Sequence, residues 1–439
     1  MAKFRDGRAH RLECGGKKRS VKLVSHTTRT LFEKRNEKQV AGGKMNKQTK
    51  ITGAKQKGLF EFFEEDPEAA DRAVFGREAH ADRRGFLRGA GLATMGAMLG
   101  AAIPFHRNMP AGFIPVALAE SDVLEGKDGL VLLNDRPVNA EATPHLLDSP
   151  ITPNDHFFVR NNGVVPPDTS PDGWELTIDG MVDNPLNLSI ADLKNDFEVV
   201  KLALVIECGG NGRAFFNPPA SGNQWTYGAV GCSYFTGVRL RDVLKKAGVK
   251  PGVVYTAHEG ADGHLSGDPK KLPISRGIPI EKAMTENVLI AFEMNDTPLP
   301  VLNGRPLRLV VPGWPGSCSQ KWLKRIWLRD VVHDGPKMTG RSYRVPKYPV
   351  EPGQEVPTED FVIIERMPVK SLITNPATKT DLSGKSVEVR GHAWSGDRTI
   401  EKVDISIDFG ATWMSADLEA PVNLGAWQNW KQTVTFPQA

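Results

Sequence analysis

Cys208 stands at the end of an apolar run, Lys201 to Ile206, and is followed by Gly209, Gly210, Asn211, Gly212 and Arg213. A thiolate on a rigid strand end, beside glycines that let the backbone approach closely and with a guanidinium five residues on, suits a soft metal ion or a nucleophilic role. The same residues also suit a small buried cysteine ahead of a glycine turn, and the pattern alone leaves both readings open. Cysteine is scarce, with four residues at positions 14, 208, 232 and 318 of 439. No C-x-x-C or C-x-x-C-H occurs, so neither a zinc ribbon nor covalent c-type haem is encoded. The ten histidines show no H-E-x-x-H spacing.

Short strands punctuated by Pro and Gly, with few helices, must position these residues. Trp174 to Gly180 alternates as a half-buried strand, and Ser189 caps a helix start at Ile190. Leu240 to Ala247 reads as an amphipathic helix closed by Gly248. Val288 to Phe292 and Leu307 to Val311 read as buried strands, the second stopped by Pro312-Gly313. The pattern predicts an α+β fold and not alternating βαβ units. After a Pro-rich linker over Pro346 to Pro357, strands are expected at Phe361 to Ile364, Ser386 to Ala393, Val403 to Asp408 and Trp427 to Thr435, with a turn at Asp408 to Ala411. They suggest an all-β, immunoglobulin-like sandwich. Pro368 to Ala439 holds 72 residues, against about 100 and about seven strands for such a sandwich, so this domain is expected to be minimal or cut short at its C-terminus.

Composition is that of a globular protein, 40% hydrophobic and 25% charged, which excludes a disulfide scaffold, a collagen-like chain and a wholly disordered one. The net charge of +4 conceals a split. Met1 to Gly58 carries 17 Lys+Arg against 4 Asp+Glu, whereas Glu120 to Ala439 carries 33 against 40. The body is acidic, and its charge gives no support to a nucleic-acid partner. Residues 1–81 read as a disordered extension, basic and then acidic, in which Met45 is an alternative start. Arg83-Arg84-Gly85-Phe86-Leu87-Arg88 precedes the uncharged stretch Gly89 to Phe105, and Ala117-Leu118-Ala119 supplies a small-x-small step. Residues 82–119 are therefore read as a twin-arginine-type signal peptide, with Asp82 where Ser or Thr usually stands. That route exports proteins already folded, which places the mature chain in the periplasm and hints at a cofactor acquired before export. The stretch is too short and too weakly apolar for a stable membrane span. Loss of Cys14 with the leader leaves three cysteines, an odd number in an oxidising compartment, so at least one is unpaired, buried or bound.

Four motifs occur in order: Phe157-Phe158-Val159-Arg160-Asn161-Asn162, Glu207-Cys208-Gly209-Gly210-Asn211-Gly212-Arg213, Arg308-Leu309-Val310-Val311-Pro312-Gly313 and Lys321-Trp322-Leu323. From about Pro150 onward the chain resembles the sulfite oxidase family of molybdenum enzymes. The resemblance implies a catalytic domain with the molybdopterin-binding sulfite-oxidase fold over residues 120–345, and a dimerisation-type β domain over 346–439. It further implies that Cys208 is the protein's one ligand to molybdenum, beside the dithiolene sulfurs of a molybdopterin. Arg160 and Arg213 match the arginines that hold the anionic substrate, and two planar, always-charged guanidiniums suit a small dianion such as sulfite. Tyr343 is similar in placement to the family's active-site tyrosine, a hydrogen-bond donor to the reacting oxygen. Asp262, Arg308, Ser319, Gln320 and Lys321 would contact the pterin and its phosphates. Asn161, Asn162 and Asn303 would border the cofactor, the last two standing where the animal enzymes carry histidines. The activity implied is a periplasmic sulfite dehydrogenase that passes electrons to a separate c-type cytochrome, with no haem on this chain and a homodimer formed through the C-terminal domain. Other readings remain: a sulfur dehydrogenase subunit of a thiosulfate-oxidising complex, another molybdopterin oxidoreductase, or a non-catalytic binding or scaffold protein that keeps the fold.

Overall fold

A computed structural model describes residues 124–351 and 353–437. The leader expected over 1–81 and 82–119 lies outside the described residues. Strands β1 (Val131–Asp135), β2 (Val138–Glu141) and β3 (Val159–Arg160) form a small antiparallel sheet that carries Arg160 at its last strand. Next come β4 (Glu175–Gly180), β5 (Leu186–Ser189), α1 (Ile190–Asp196), β6 (Val199–Glu207), β7 (Val230–Arg239), α2 (Leu240–Ala247) and β8 (Tyr255–Gly260). The chain continues through β9 (Gly277–Pro279), α3 (Ile280–Ala283), β10 (Leu289–Met294), β11 (Thr297–Pro298), β12 (Arg308–Val310) and β13 (Leu323–Arg329). One sheet runs β11-β10-β7-β6, with β12 also on β10, and the other runs β5-β4-β13-β8-β9 with β13 parallel to β4.

Local chemistry explains the helices. Ser189 Oγ accepts from the Asp192 N–H while the Asp192 carboxylate takes the Ser189 N–H, a reciprocal capping box that starts α1. In α2 the buried residues Leu240, Val243, Leu244 and Ala247 follow helical spacing, and Gly248 at φ 74° ends it by bonding back to Leu244 O.

Strand β6 lies at the end of its sheet, and its last five residues, Ala203 to Glu207, are buried on both faces. Leu204, Ile206 and, just past its end, Cys208 point into a core with Phe157, Phe158, Trp225 and Phe235. Ala203 and Val205 point the other way, with Val230 and Cys232 of β7, into a core completed by Leu372, Trp394 and Trp427 of the C-terminal domain. A side-chain period of two thus sends one set of residues to the site and the other to the domain seam.

The region expected as a linker forms a hairpin, β14 (Arg344–Pro346) on β15 (Phe361–Ile363), so the strand expected at 361–364 belongs to this hairpin and not to the C-terminal sheet. That sheet is β16 (Lys370–Asn375), β17 (Ser386–Trp394), β21 (Gln428–Thr435) and β20 (Asp417–Leu418), in the order β16-β17-β21-β20. Beside it lies the pair β18 (Asp404–Ile405) and β19 (Met414–Ser415). The strand expected over Val403 to Asp408 stops at Ile405, because Ser406 Oγ bonds to Asp408 and to the Gly410 N–H and turns the chain. Among the described residues no helix is long and apolar enough to cross a membrane.

Trp427 holds the seam together. Its ring stacks on His392 at 3.9 Å, and its Nε1 donates to Pro150 O at 2.7 Å across the two domains. Trp427→Ala should destabilise the protein by about 3–5 kcal/mol, read as a lower urea midpoint, with Trp427→Phe losing less.

Candidate functional site

One cavity gathers most of the residues singled out in the sequence. Arg160, Asn162, Cys208, Asp262, Asn303, Arg308, Ser319, Gln320, Lys321 and Tyr343 all line it, with Phe157, Phe158, Ile206, Ile274 and Trp322 as apolar walls. Asn161 is buried just behind the wall, its Oδ1 taking the Lys321 ammonium.

The Cys208 loop is fixed by its own backbone. The Cys208 N–H donates to Ala229 O at 2.9 Å and its carbonyl accepts from the Asn211 N–H at 2.9 Å. Cys208 is 6% exposed, and its place just past the C-terminal end of β6 puts it on the cavity wall. Cys232 lies on the opposite face of the sheet, where burial pushes its thiol up to about 12. The described cysteines are all unpaired, and among the described residues no three His, Cys, Asp or Glu side chains converge as a metal cage. A metal held here would have Cys208 as its protein sulfur.

Arg213 is not on the cavity wall. Its guanidinium is sandwiched against Gly210 and Gly222 and donates to Asn223 O at 3.1 Å. An added Cβ at Gly210 would lie 2.5 Å from that guanidinium, so what this glycine lets come close is the chain's own arginine. Arg160, by contrast, is pinned in the cavity. It donates to Asn139 Oδ1 at 3.3 Å, to Asn161 O, and to Asn162 Oδ1 at 2.9 Å. Asn139 Oδ1 also accepts the Asn161 N–H, locking this stretch to the small first sheet. Tyr343 reaches the same Asn162 Oδ1 at 3.4 Å, and its ring lies 4.9 Å from the Arg276 guanidinium. Its backbone is left-handed at φ 52°, an uncommon state for an aromatic residue that fits a position fixed by its surroundings.

Further positive charge lines the same cavity. Arg308 donates to Asn303 O at 2.7 Å and Ser319 O at 3.3 Å, and Lys321 donates to Leu302 O at 2.8 Å. Lys127, which no motif marks, brings its ammonium to Asn303 Oδ1 and Asn154 O. Burial lowers the Lys127 ammonium to about 7 and the Arg308 guanidinium to about 9. Burial, reinforced by the Arg308 charge, carries Lys321 well below the usual lysine range. The one carboxylate lining the cavity among the described residues is Asp262, raised to about 6 by burial against the opposing pull of Lys321. Asn161 Nδ2, Asp262 Oδ1, Gln320 Oε1 and Arg308 Nε are buried without a hydrogen-bond partner. Buried cations that outnumber buried acids, beside unmet amide and carboxylate groups, fit an anionic ligand rich in polar ring edges. A pterin with a phosphate tail is such a ligand, and Cys208, lining the same cavity, would offer a soft donor to a metal it carried.

Sequence reasoning missed Lys127, Asn139 and Arg276. The first two reach the site from the small N-terminal sheet and its approach, and the third lies beneath Tyr343; none belongs to a local motif.

Comparison with known proteins follows the same lines. Residues 162–337 match the oxidoreductase molybdopterin binding domain, and residues 362–437 match the Mo-co oxidoreductase dimerisation domain. Mitochondrial sulfite oxidase of Rattus norvegicus is 35% identical over 318 residues, covering 69% of this chain and 56% of that protein. Sulfite oxidase of Gallus gallus is 33% identical, with 70% of this chain and 68% of that protein covered. The NADPH nitrate reductase of Fusarium oxysporum is 31% identical over 71% of this chain and 37% of its own length. Among solved structures, the sulfane dehydrogenase SoxCD from Paracoccus pantotrophus superposes with a TM-score of 0.58 at 27% identity, covering 77% of this chain and 81% of that one.

The excess of buried cations generates a test. Inorganic pyrophosphate should raise the Tm of the cofactor-free full chain more than chloride of equal ionic strength, and Lys321→Met should remove most of that rise. An equal rise in wild type and variant would place anion binding elsewhere.

Proposed function

The chain belongs to the sulfite oxidase family of molybdopterin oxidoreductases, and on that premise we propose that it oxidises sulfite to sulfate. Sulfite and water give sulfate, two electrons and two protons. The observation that carries the reading is Cys208 lining one cavity with Arg160 and Tyr343, which are joined through Asn162, and with the cations Arg308 and Lys321.

When bound, the molybdenum cofactor supplies the two-electron redox couple and a soft metal for the Cys208 thiolate. Lys321, Arg308 and Lys127 neutralise its phosphate charge, while Asp262, Gln320 and Asn161 satisfy its polar edges. Arg160 holds the substrate anion. Its bonds to Asn139, Asn161 and Asn162 occupy three of its five N–H groups, which leaves two for an oxyanion. Tyr343, whose one O–H donates to Asn162 Oδ1 and whose ring lies against Arg276, would turn that hydroxyl to the reacting oxygen. The preorganised Arg160 guanidinium stabilises developing charge without reorganising at the moment of reaction. Arg213, packed against Gly210 and Gly222 beside the Cys208 loop, adds positive charge that draws anions toward the cavity.

Electrons then pass singly to a separate c-type cytochrome, to which the acidic body offers a complementary surface. The C-terminal β domain forms a homodimer, and the mature protein works in the periplasm after export by the twin-arginine route. The likeness to the sulfane dehydrogenase favours a second reading, oxidation of sulfane sulfur within a larger complex. Molybdenum-loaded protein given sulfite with ferricyanide or cytochrome c separates the two. Sulfite-dependent reduction of the acceptor is expected, and loaded protein that leaves sulfite untouched overturns the first reading.

Cys208→Ser should abolish turnover, because an alkoxide cannot stand in for the thiolate, whereas Cys232→Ser, on the far face of the sheet, should leave most of it. Equal losses would reduce Cys208 to a packing residue. Arg160→Met should raise KM for sulfite about tenfold or more, the cost of one charge-assisted contact. Arg213→Met should raise it less, since that guanidinium lies off the wall.

A further inference from the structure

Glu207 immediately precedes Cys208 and is buried to 2% exposure. Its carboxylate is held from the C-terminal domain. Lys370 Nζ donates to Oε1 at 2.6 Å and Trp394 Nε1 donates to Oε2 at 3.0 Å. Asn211 Nδ2 adds a third donor at 3.1 Å, while Asn211 Oδ1 accepts the Ala229 N–H and the Asn211 carbonyl accepts Lys370 at 3.3 Å. The loop from 207 to 211, with Cys208 inside it, is therefore tied at both ends to one ammonium from β16. Other bonds hold the domain in place independently: Arg390 to Asp148 at 2.6 Å, Lys282 to Asp397 at 2.6 Å and Trp427 to Pro150 O.

We propose that Lys370 and Trp394 are positioning residues for the metal-ligating thiolate, so that the C-terminal domain completes the catalytic site of its own chain through Glu207 and Asn211. The proposal rests on Cys208 as the ligand. A buried carboxylate deprived of its cation moves toward water or other donors. Successive Cα atoms are tied about 3.8 Å apart, so a backbone shift at Glu207 carries Cys208 with it. Groups that orient a metal ligand without touching the metal change affinity or activity by about tenfold to a hundredfold.

The test uses the full chain as wild type, Lys370→Met, Lys370→Arg and Trp394→Phe. In protein made without cofactor, iodoacetamide labelling is followed at each cysteine by mass spectrometry, with buried Cys232 and Cys318 as references. Lys370→Met should label Cys208 about tenfold faster with the references unchanged, and Lys370→Arg should restore the wild-type rate. Trp394→Phe, which keeps the ring and loses the donor, should show a smaller change of the same sign. In loaded protein, Lys370→Met should alter the molybdenum(V) electron paramagnetic resonance signal and lower kcat about tenfold, with KM for sulfite within about twofold of wild type. Wild-type labelling and an unaltered spectrum in both Lys370→Met and Trp394→Phe overturn the proposal. Equal acceleration at all three cysteines overturns it too, as general loosening. A Cys208→Ser chain that retains molybdenum and turnover overturns the ligand reading and this proposal with it, a failure distinct from the first two.

Discussion

Arg308, Lys321, Lys127 and Arg160 bring four cationic side chains to the cavity and its edge, where the described walls offer one carboxylate, Asp262. Burial makes Lys127, Arg308 and Lys321 costly to keep charged, and the Arg308 charge adds to that cost at Lys127 and Lys321. The surrounding architecture is what keeps them there. Strand β12 fixes Arg308, the turn through Gly316–Cys318 presents Ser319 to Lys321, and the small first sheet sets Arg160 and Asn161 against Asn139. Backbone carbonyls of Asn303, Ser319 and Leu302 take the donors that have no acid to meet. The charge is thereby held ready for an anion from outside, and much of the electrostatic cost of binding is met during folding.

Strand β6 links this electrostatic arrangement to the rest of the molecule. Buried on both faces over its last five residues, it presents Leu204, Ile206 and Cys208 to the cavity side and Ala203 and Val205 to the seam with the C-terminal domain. Packing on one face is therefore registered on the other, since a strand that moves to suit Leu372, Trp394 or Trp427 moves Cys208 as well. Glu207 sharpens the connection, because its partners Lys370 and Trp394 replace a diffuse apolar contact with bonds of fixed length.

How much of this was legible in the sequence depended on distance along the chain. The Ser189 capping box, the apolar spacing of α2 and the strand leading to Cys208 each arise within a few residues, and local patterning showed them. The cavity residues of the four motifs were likewise readable, because each motif is contiguous and its glycines and arginines are distinctive. The position of Arg213 was not, since the glycines beside it, read as room for something external, receive its own guanidinium. Lys127 and Asn139 could not be singled out, because their role arises only when the segment through Lys127 reaches Asn303 and β2 pairs with the strand bearing Arg160. The strand expected through Asp408 was cut short by the Ser406 hydroxyl, a case of a side chain competing with sheet hydrogen bonds.

The contact between Glu207 and Lys370 joins residues 163 positions apart, and that with Trp394 joins residues 187 apart. During synthesis from the N-terminus, the strand bearing Cys208 emerges long before either partner exists. A carboxylate that must be buried has, until then, every reason to remain in water. The loop around Cys208 therefore has its full set of bonds only once the C-terminal domain has been made and docked. Order of manufacture becomes a form of proofreading, in which an unfinished chain lacks the bonds that hold the Cys208 loop in place.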